Sequence, residues 1–161
     1  MVVVRDRRDD DLEGCVAALR LTHAADGYPL NWPADPRAWL TPPRLLRAWV
    51  AASGGVIAGH VALQAVGESE AELSRLFVDP AARRLSVATE LLRRAVEWAA
   101  EQRLRPTLNL VDEGRSAAVA FYEAAGWRFT HTSEAGWAGP RGERVVLRHY
   151  AAPEPWAGPG G

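Results

Sequence analysis

This chain has no lysine, a single cysteine and no excess of charge of one sign. Its 161 residues include one cysteine, Cys15, and 19 basic residues, all of them arginine. A single cysteine excludes an intramolecular disulfide and a cysteine-based metal cluster. The formal net charge of -1 argues against general binding to nucleic acid or to a membrane surface, because neither sign dominates. The bias towards arginine and alanine is typical of a GC-rich bacterial genome.

Long hydrophobic runs are also missing. The first residues, MVVVRDRRDDD, contain too short an apolar run for a secretory signal, and no segment is long enough to span a bilayer. We therefore expect a cytoplasmic protein. The four histidines are scattered and predict no metal site, and we find no internal repeat, P-loop or dinucleotide fingerprint.

The composition predicts one folded domain. Hydrophobic content of 48% and charged content of 24% are those of a soluble globular protein. We place the domain at residues 1–150. The remaining residues, 151–161, are rich in proline and glycine and are expected to form a disordered or loosely attached tail.

The stretch 73–92 combines a strand, a basic loop and the start of a helix. Residues 73–78 are apolar with β-branched and aromatic types, and Asp79-Pro80 ends the strand. A helical spacing of small and apolar residues begins after Arg83 and Arg84. The first turn of a helix carries unpaired backbone N–H groups at the positive end of its macrodipole, so this junction suits a phosphate or pyrophosphate.

These residues resemble the GNAT superfamily of acyl-CoA-dependent N-acetyltransferases. The family signature is Arg/Gln-x-x-Gly-x-Gly/Ala at the helix start, usually after a Val-x-Pro strand end, and the run from Val78 to Ala88 is similar to it. The resemblance implies acetyl-CoA as cosubstrate, with coenzyme A bound by Arg83, Arg84, Leu85, Ser86, Val87, Ala88 and Thr89. The departure is Ser86, which stands where the family usually has glycine. Its Cβ crowds the approach to the pyrophosphate, whereas its hydroxyl can donate to a phosphate oxygen. The alternative is an ordinary strand–turn–helix unit with a solvated arginine pair.

A second block, residues 115–127, resembles the family motif Asn-x-x-Ala-x-x-x-Tyr-Glu-x-x-Gly-Phe. The matching positions are Ala118, Tyr122, Glu123, Gly126 and Trp127. Arg115 replaces the asparagine that commonly contacts the cofactor, and an arginine there could pair with a coenzyme A phosphate. Tyr122 stands where the family commonly has the general acid that protonates the departing thiolate. Alternatively, Tyr122 is a core residue on a helix over 115–125.

The order of predicted elements suggests the fold. A strand, a helix, an irregular segment and three strands are followed by β–α–β–α–ββ. This order suggests a single α+β domain with a central mixed, mainly antiparallel sheet of about seven strands flanked by helices, splayed between strands four and five, as in the GNAT fold. Backbone groups left unpaired at the splay can bind an extended pantetheine arm, and we expect those bonds at Leu76, Phe77 and Val78. An amide there could also stabilise an oxyanion.

Transfer to an amine requires a base, because an alkyl amine is mostly ammonium at neutral pH. In the resembled enzymes the base, where there is one, often projects from the fourth strand. Strand alternation predicts Glu72, Ser74 and Leu76 on one face and Leu73, Arg75 and Phe77 on the other. Glu72 is therefore the leading candidate. The alternatives are Glu70, Asp79, a water chain and, in reserve, His60 on the preceding strand.

The segment 23–43 is rich in proline yet carries several aromatic side chains, so we expect it to fold back on the domain. In the resembled family this region helps to shape the acceptor pocket. Tyr28 and Trp32 thus become candidate pocket walls, and Asp26 a candidate anion for the incoming amine. Alternatively, the tryptophans cover the sheet edge.

The resemblance implies an N-acetyltransferase that acts on the primary amine of a small molecule or amino acid by direct attack. Cys15 is expected to be a packing residue and not a nucleophile. Three alternatives stay open: a non-catalytic acyl-CoA sensor or scaffold, an enzyme for protein or peptide amines, and a structural protein without cofactor. A homodimer through the C-terminal strands is implied by the resemblance alone.

Overall fold

The computed structural model describes residues 1–113 and 116–153, and of residues 84 and 85 the backbone alone. The strands in this part are β1 (Val3–Asp6), β2 (Leu45–Ser53), β3 (Val56–Val66), β4 (Glu70–Val78), β5 (Arg105–Val111), β6 (Arg128–Glu134) and β7 (Val146–Ala151). The helices are α1 (Leu12–Asp26), α2 (Pro36–Trp39), α3 (Val87–Glu101) and α4 (Ala117–Ala124). Short 3-10 turns cover Asp9–Asp11 and Pro80–Leu85.

The strands form one seven-stranded sheet in the order β1-β2-β3-β4-β5-β7-β6. All neighbours are antiparallel except β4 and β5, which run parallel. The parallel ladder joins Glu70, Ala71 and Glu72 to β5 and then stops, although both strands continue. The predicted α+β domain, with a mixed sheet splayed between strands four and five, is therefore confirmed.

Local signals account for several element ends. Gly54 and Gly55 have φ of 56° and 84°, as a two-residue type I′ hairpin requires between β2 and β3. Ser116 caps α4 by accepting from the Val119 amide, so this helix begins two residues later than the sequence predicts. Asp35 caps α2 in the same way, although the sequence pattern gives no helix there. None of the helices in the described ranges is long and apolar enough to cross a membrane.

Helices cover both faces of the sheet. On one face α3 packs with Tyr122 and Trp127 over a large apolar cluster, and on the other α1 packs over a smaller cluster that includes Phe77. The start of α3 lies directly on β3 at Gly59. A Cβ at this position would lie 2.9 Å from Leu91 Cδ1 and 3.1 Å from Val87 Cγ1. Glycine at this position therefore lets the first turn of α3 lie close beside the end of β4.

A β-bulge interrupts β4 at Arg75. The pairing with β3 steps from Ser74 to Phe77 on β4 while β3 advances by two residues only, and Arg75 has φ of 55°. The extra residue reverses the alternation that follows. Leu73 packs in the α3 cluster and Phe77 in the α1 cluster, so the prediction that Leu73, Arg75 and Phe77 share one face is wrong.

β7 ends at Ala151, and Ala152 is buried and donates its amide to the Pro106 carbonyl at 3.1 Å. Of the proline- and glycine-rich stretch predicted as a tail, residues 154–161 lie outside the described part of the chain.

Candidate functional site

The open end of the splay meets the N-terminus of α3. Ser86 precedes this helix, is exposed, and makes no capping hydrogen bond through its side chain. Its φ of 58° and ψ of 29° are left-handed, a conformation that glycine adopts without cost and that costs other residues about 1 kcal/mol. The amides of Val87, Ala88 and Thr89 therefore start the helix without a side-chain cap, which is the arrangement that suits an anion.

The basic loop before α3 is tied to the end of α1. Arg83 forms an ion pair with Asp26, with both side chains partly exposed, and also donates to the Val78 carbonyl at 3.4 Å. The sequence predicts Asp26 as an anion for the acceptor amine, whereas the structure engages its carboxylate with Arg83. The contacts predicted for the side chains of Arg84 and Leu85, and for Arg115, fall outside the described residues.

The edge of β4 that faces β5 is open beyond Glu72. Leu76 is half-buried, Phe77 is buried on the α1 face, and Val78 is buried on the α3 face. The backbone of these three residues has no ladder partner on β5 among the described pairs. Such an edge can accept an extended ligand as an added strand.

Glu72 lies at the closed end of the splay, opposite Thr107. Its carboxylate accepts from Asn109 Nδ2 at 2.5 Å and from Gln64 Nε2 at 3.1 Å. Burial raises the pKa of Glu72, and Arg75 and Asn109 oppose that shift. A half-buried carboxylate with a raised pKa is a better proton acceptor than an exposed one. Asn109 and Gln64 were not predicted, because their contacts join different strands.

Arg75 and the segment after α1 form a wall of the same site. Arg75 Nε donates to the Trp39 carbonyl at 2.9 Å, and its Cζ lies 4.2 Å from the centroid of the Trp39 ring. Tyr28 packs edge-on against Trp39, and burial raises the pKa of Tyr28 to about 12 while Arg75 opposes the shift. Trp32 packs instead beside His23, with ring centroids 5.3 Å apart. The segment does fold back as expected, and sequence reasoning missed Trp39 and Arg75.

Tyr122 places a buried ring beneath this region. The ring packs against Phe121 and Trp127, with 4% of the residue exposed. Burial raises the pKa of Tyr122, and Tyr28 adds to the shift. The Tyr122 hydroxyl makes no hydrogen bond to any described residue. Since every fully buried side-chain polar atom of these residues has a partner, the hydroxyl is not fully buried and reaches accessible space, where its raised pKa keeps it protonated. Ala118, one turn earlier on α4, is exposed.

A row of polar side chains continues from Glu72 across the sheet. Asn109 pairs with His149 and His149 with His131, and the two imidazole rings stack at 4.2 Å. Cross-strand neighbours share a face, so this row extends the floor of the site. Asn31 donates to the Ala138 carbonyl at 2.8 Å, which joins the segment after α1 to the β6–β7 loop.

Two other candidates are engaged elsewhere. His60 is fully buried, with Nδ1 2.9 Å from the Arg75 carbonyl and Nε2 3.0 Å from an Arg7 nitrogen. It therefore has no free lone pair that could take a proton from the acceptor amine. Cys15 is fully buried, and burial raises the pKa of its thiol to about 12. A thiol in that environment is not a nucleophile at neutral pH.

Comparison with known proteins agrees with this geometry. The model of the acetyltransferase (GNAT) family matches residues 11–127. The fold is similar to that of ribosomal-protein-S18-alanine N-acetyltransferase from Escherichia coli, with 20% identity, a TM-score of 0.74, and coverage of 95% of this chain and 94% of that one. An N-acetyltransferase from Staphylococcus aureus Mu50 gives 16% identity, a TM-score of 0.73, and coverage of 95% and 98%. Ard1 from Thermoplasma volcanium gives 16% identity, a TM-score of 0.71, and coverage of 95% and 99%. A search of curated proteins finds no match.

Proposed function

Since the chain belongs to the acetyltransferase (GNAT) family, we propose that it transfers the acetyl group of acetyl-CoA to the primary amine of a small molecule or amino acid. The observation that carries this proposal is the splay between β4 and β5, with Glu72 at its closed end and the uncapped start of α3 at its open end. A thioester laid along the open β4 edge would bring its reacting carbon between the two ends.

The residues present fit coenzyme A. The first turn of α3 offers amides to the pyrophosphate, Arg83 stands beside it with a partly exposed guanidinium, and the β4 edge offers backbone groups to the pantetheine arm. Acetyl-CoA supplies the activated acetyl group. The Cβ of Ser86 crowds the approach of the pyrophosphate to the helix start but does not block it, because the Ser86 side chain is exposed.

Glu72 and Tyr122 divide the proton transfers. Glu72 takes a proton from the ammonium group, directly or through water, and the free amine attacks the carbonyl carbon as the C–S bond breaks. Tyr122 gives its proton to the departing sulfur, and the second amine proton restores the phenol. One N–C bond thus replaces one C–S bond, and one proton leaves through Glu72. Attack on the thioester is direct: Cys15, the one thiol of the chain, is fully buried and cannot receive the acetyl group.

The test is acetyl transfer by the purified chain to a panel of small amines and amino acids, followed by thiol release and by mass spectrometry of the product. Tyr122→Phe should lower kcat by about 10²- to 10⁴-fold, the usual contribution of a general acid, while acetyl-CoA binding is retained. Glu72→Gln should lower kcat/KM and remove the acidic limb of its pH profile, since Glu72 acts deprotonated and activity falls as pH drops through its raised pKa.

Tyr150→Phe is the matched control. Tyr150 is as buried as Tyr122, but its hydroxyl donates to Glu123 at 3.0 Å, so its loss should leave kcat unchanged. Acetyl-CoA binding without turnover on any amine would instead favour a sensor or scaffold. No binding at all would refute the acetyl-CoA assignment.

A further inference from the structure

Arg75 is a half-buried cation whose terminal nitrogens have no hydrogen-bond partner among the described residues. Its Nε binds the Trp39 carbonyl, but neither terminal nitrogen makes a hydrogen bond to any residue that the structure describes. Arg7 provides the contrast, because its two terminal nitrogens contact Leu40, His60 and Thr41. A guanidinium carries five donors. Since no fully buried side-chain nitrogen of the described residues lacks a partner, these terminal nitrogens reach accessible space, where a ligand can meet them.

The structure holds this guanidinium in place. Trp39 fixes it twice, by the carbonyl that accepts from Nε and by the ring 4.2 Å from Cζ. The backbone of Arg75 is left-handed, with φ of 55°, and His60 Nδ1 donates to its carbonyl at 2.9 Å. Non-glycine residues persist in this conformation when surrounding contacts enforce it, and such positions cluster at ligand sites.

Arg75 lies on the same face of the sheet as Glu72. Leu73 packs on the α3 face, so its neighbour Glu72 points to the α1 face, where Arg75 contacts Trp39 of the α1 cluster. Each group also shifts the pKa of the other in the direction expected for opposite charges. They form no ion pair within the described chain, because the Glu72 oxygens are held by Asn109 and Gln64. The site therefore presents a carboxylate and a guanidinium, each with capacity for a ligand of opposite charge.

We propose that the acceptor is a free α-amino acid, with its carboxylate on the terminal nitrogens of Arg75 and its amine beside Glu72. The inference rests on the proposed acetyl transfer and names its substrate class. Arginine binds carboxylates through two parallel hydrogen bonds, which lysine cannot do. A peptide amine lacks an adjacent carboxylate and would leave the guanidinium unpaired, and a polyamine would bring a second cation against it.

The experiment compares amino acids with their own carboxamides as acceptors, through kcat/KM expressed per unprotonated amine. That correction matters because a carboxamide lowers the pKa of the neighbouring amine. The wild-type protein should prefer the acid by about 10- to 100-fold, the effect of losing a charged hydrogen bond. Arg75→Gln should raise KM for the acid by about the same factor and leave KM for the carboxamide and for acetyl-CoA unchanged. Arg75→Lys should fall between the two.

Arg47→Gln is the control for loss of a stacked arginine. The Arg47 Cζ lies 5.7 Å from the centroid of the Trp98 ring, and its guanidinium pairs with Asp6 on the β1 side of the sheet, away from Glu72. Equal use of acids and carboxamides by the wild type, or better use of peptide amines, would overturn the inference while acetyl transfer stands. Transfer to no amine would overturn the proposed function itself. If thermal melts show that Arg75→Gln does not fold, the preference of the wild-type protein for amino acids over their carboxamides still tests the inference.

Discussion

Acidification should destabilise this protein through His60. The ring is fully buried between two partners, the Arg75 carbonyl at Nδ1 and an Arg7 nitrogen at Nε2. It also stacks on Phe77, with centroids 5.3 Å apart and planes at 16°. These contacts assign a neutral ring with its proton on Nδ1, because Arg7 can only donate. A second proton would place a cation against the Arg7 guanidinium.

The magnitude follows from proton linkage. Burial lowers the pKa of His60 from 6.5 to about 3, with Arg7 and Arg75 adding to the shift. The unfolded chain therefore takes up a proton near pH 6.5 that the folded chain refuses until about pH 3. The contribution of neutral His60 to the free energy of unfolding is fully present above pH 6.5. As pH falls below that value, this contribution is lost by about 1.4 kcal/mol per pH unit. Between pH 6.5 and 4 the loss is about 3 kcal/mol, a large fraction of the stability of a typical domain.

The assay is urea unfolding from pH 7.5 to 4 for the wild type and for His60→Gln. The variant has no titratable group at position 60, so its free energy of unfolding should fall less steeply with falling pH, by about 1.4 kcal/mol per pH unit. Asp11, whose pKa is lowered by Arg5, adds acid sensitivity to both proteins and cancels in the difference. Identical slopes for the wild type and His60→Gln would refute a neutral, buried His60.

Two further predictions concern the start of α3. Ser86→Gly removes a Cβ from a left-handed residue at the proposed pyrophosphate site, so we expect acetyl-CoA to bind more tightly in calorimetric titration; weaker binding would show that the hydroxyl contributes more than the Cβ costs. Gly59→Ala should lower the free energy of unfolding by about 1–3 kcal/mol in urea, since its Cβ would lie 2.9 Å from Leu91 and 3.0 Å from the Phe77 carbonyl. Gly136→Ala, with no atom within 4 Å of its added Cβ, is the matched control, and equal midpoints for the two variants would contradict the close packing.

Local sequence signals were sufficient for most of the fold. The helical spacing after Arg84 predicted α3, and the aromatic segment after α1 predicted a fold-back that the structure contains. The resemblance to the family supplied the splay between strands four and five. These features succeed because turns, caps and periodic apolar faces are decided by neighbouring residues.

The contacts within the site could not be predicted in the same way. Asn109 and Glu72 are 37 residues apart, and Asp26 and Arg83 are 57 apart. No local pattern encodes such pairs, because they depend on how separate elements are brought together. The exposed charge of Asp26 is equally compatible with an amine and with an arginine, and only the tertiary structure selects the arginine.

The bulge in β4 is the feature on which the site depends, and it has no sequence signature. With unbroken alternation Arg75 would follow Leu73 onto the α3 face, into a cluster of apolar side chains where an unpaired guanidinium is costly. The extra residue turns Arg75 towards Trp39 and Glu72 and turns Phe77 into the α1 cluster. His60 links this arrangement to its own protonation state, because Nδ1 donates to the Arg75 carbonyl while a proton on Nε2 would set a cation against the Arg7 guanidinium. The fold around the bulge is therefore most stable while His60 is neutral.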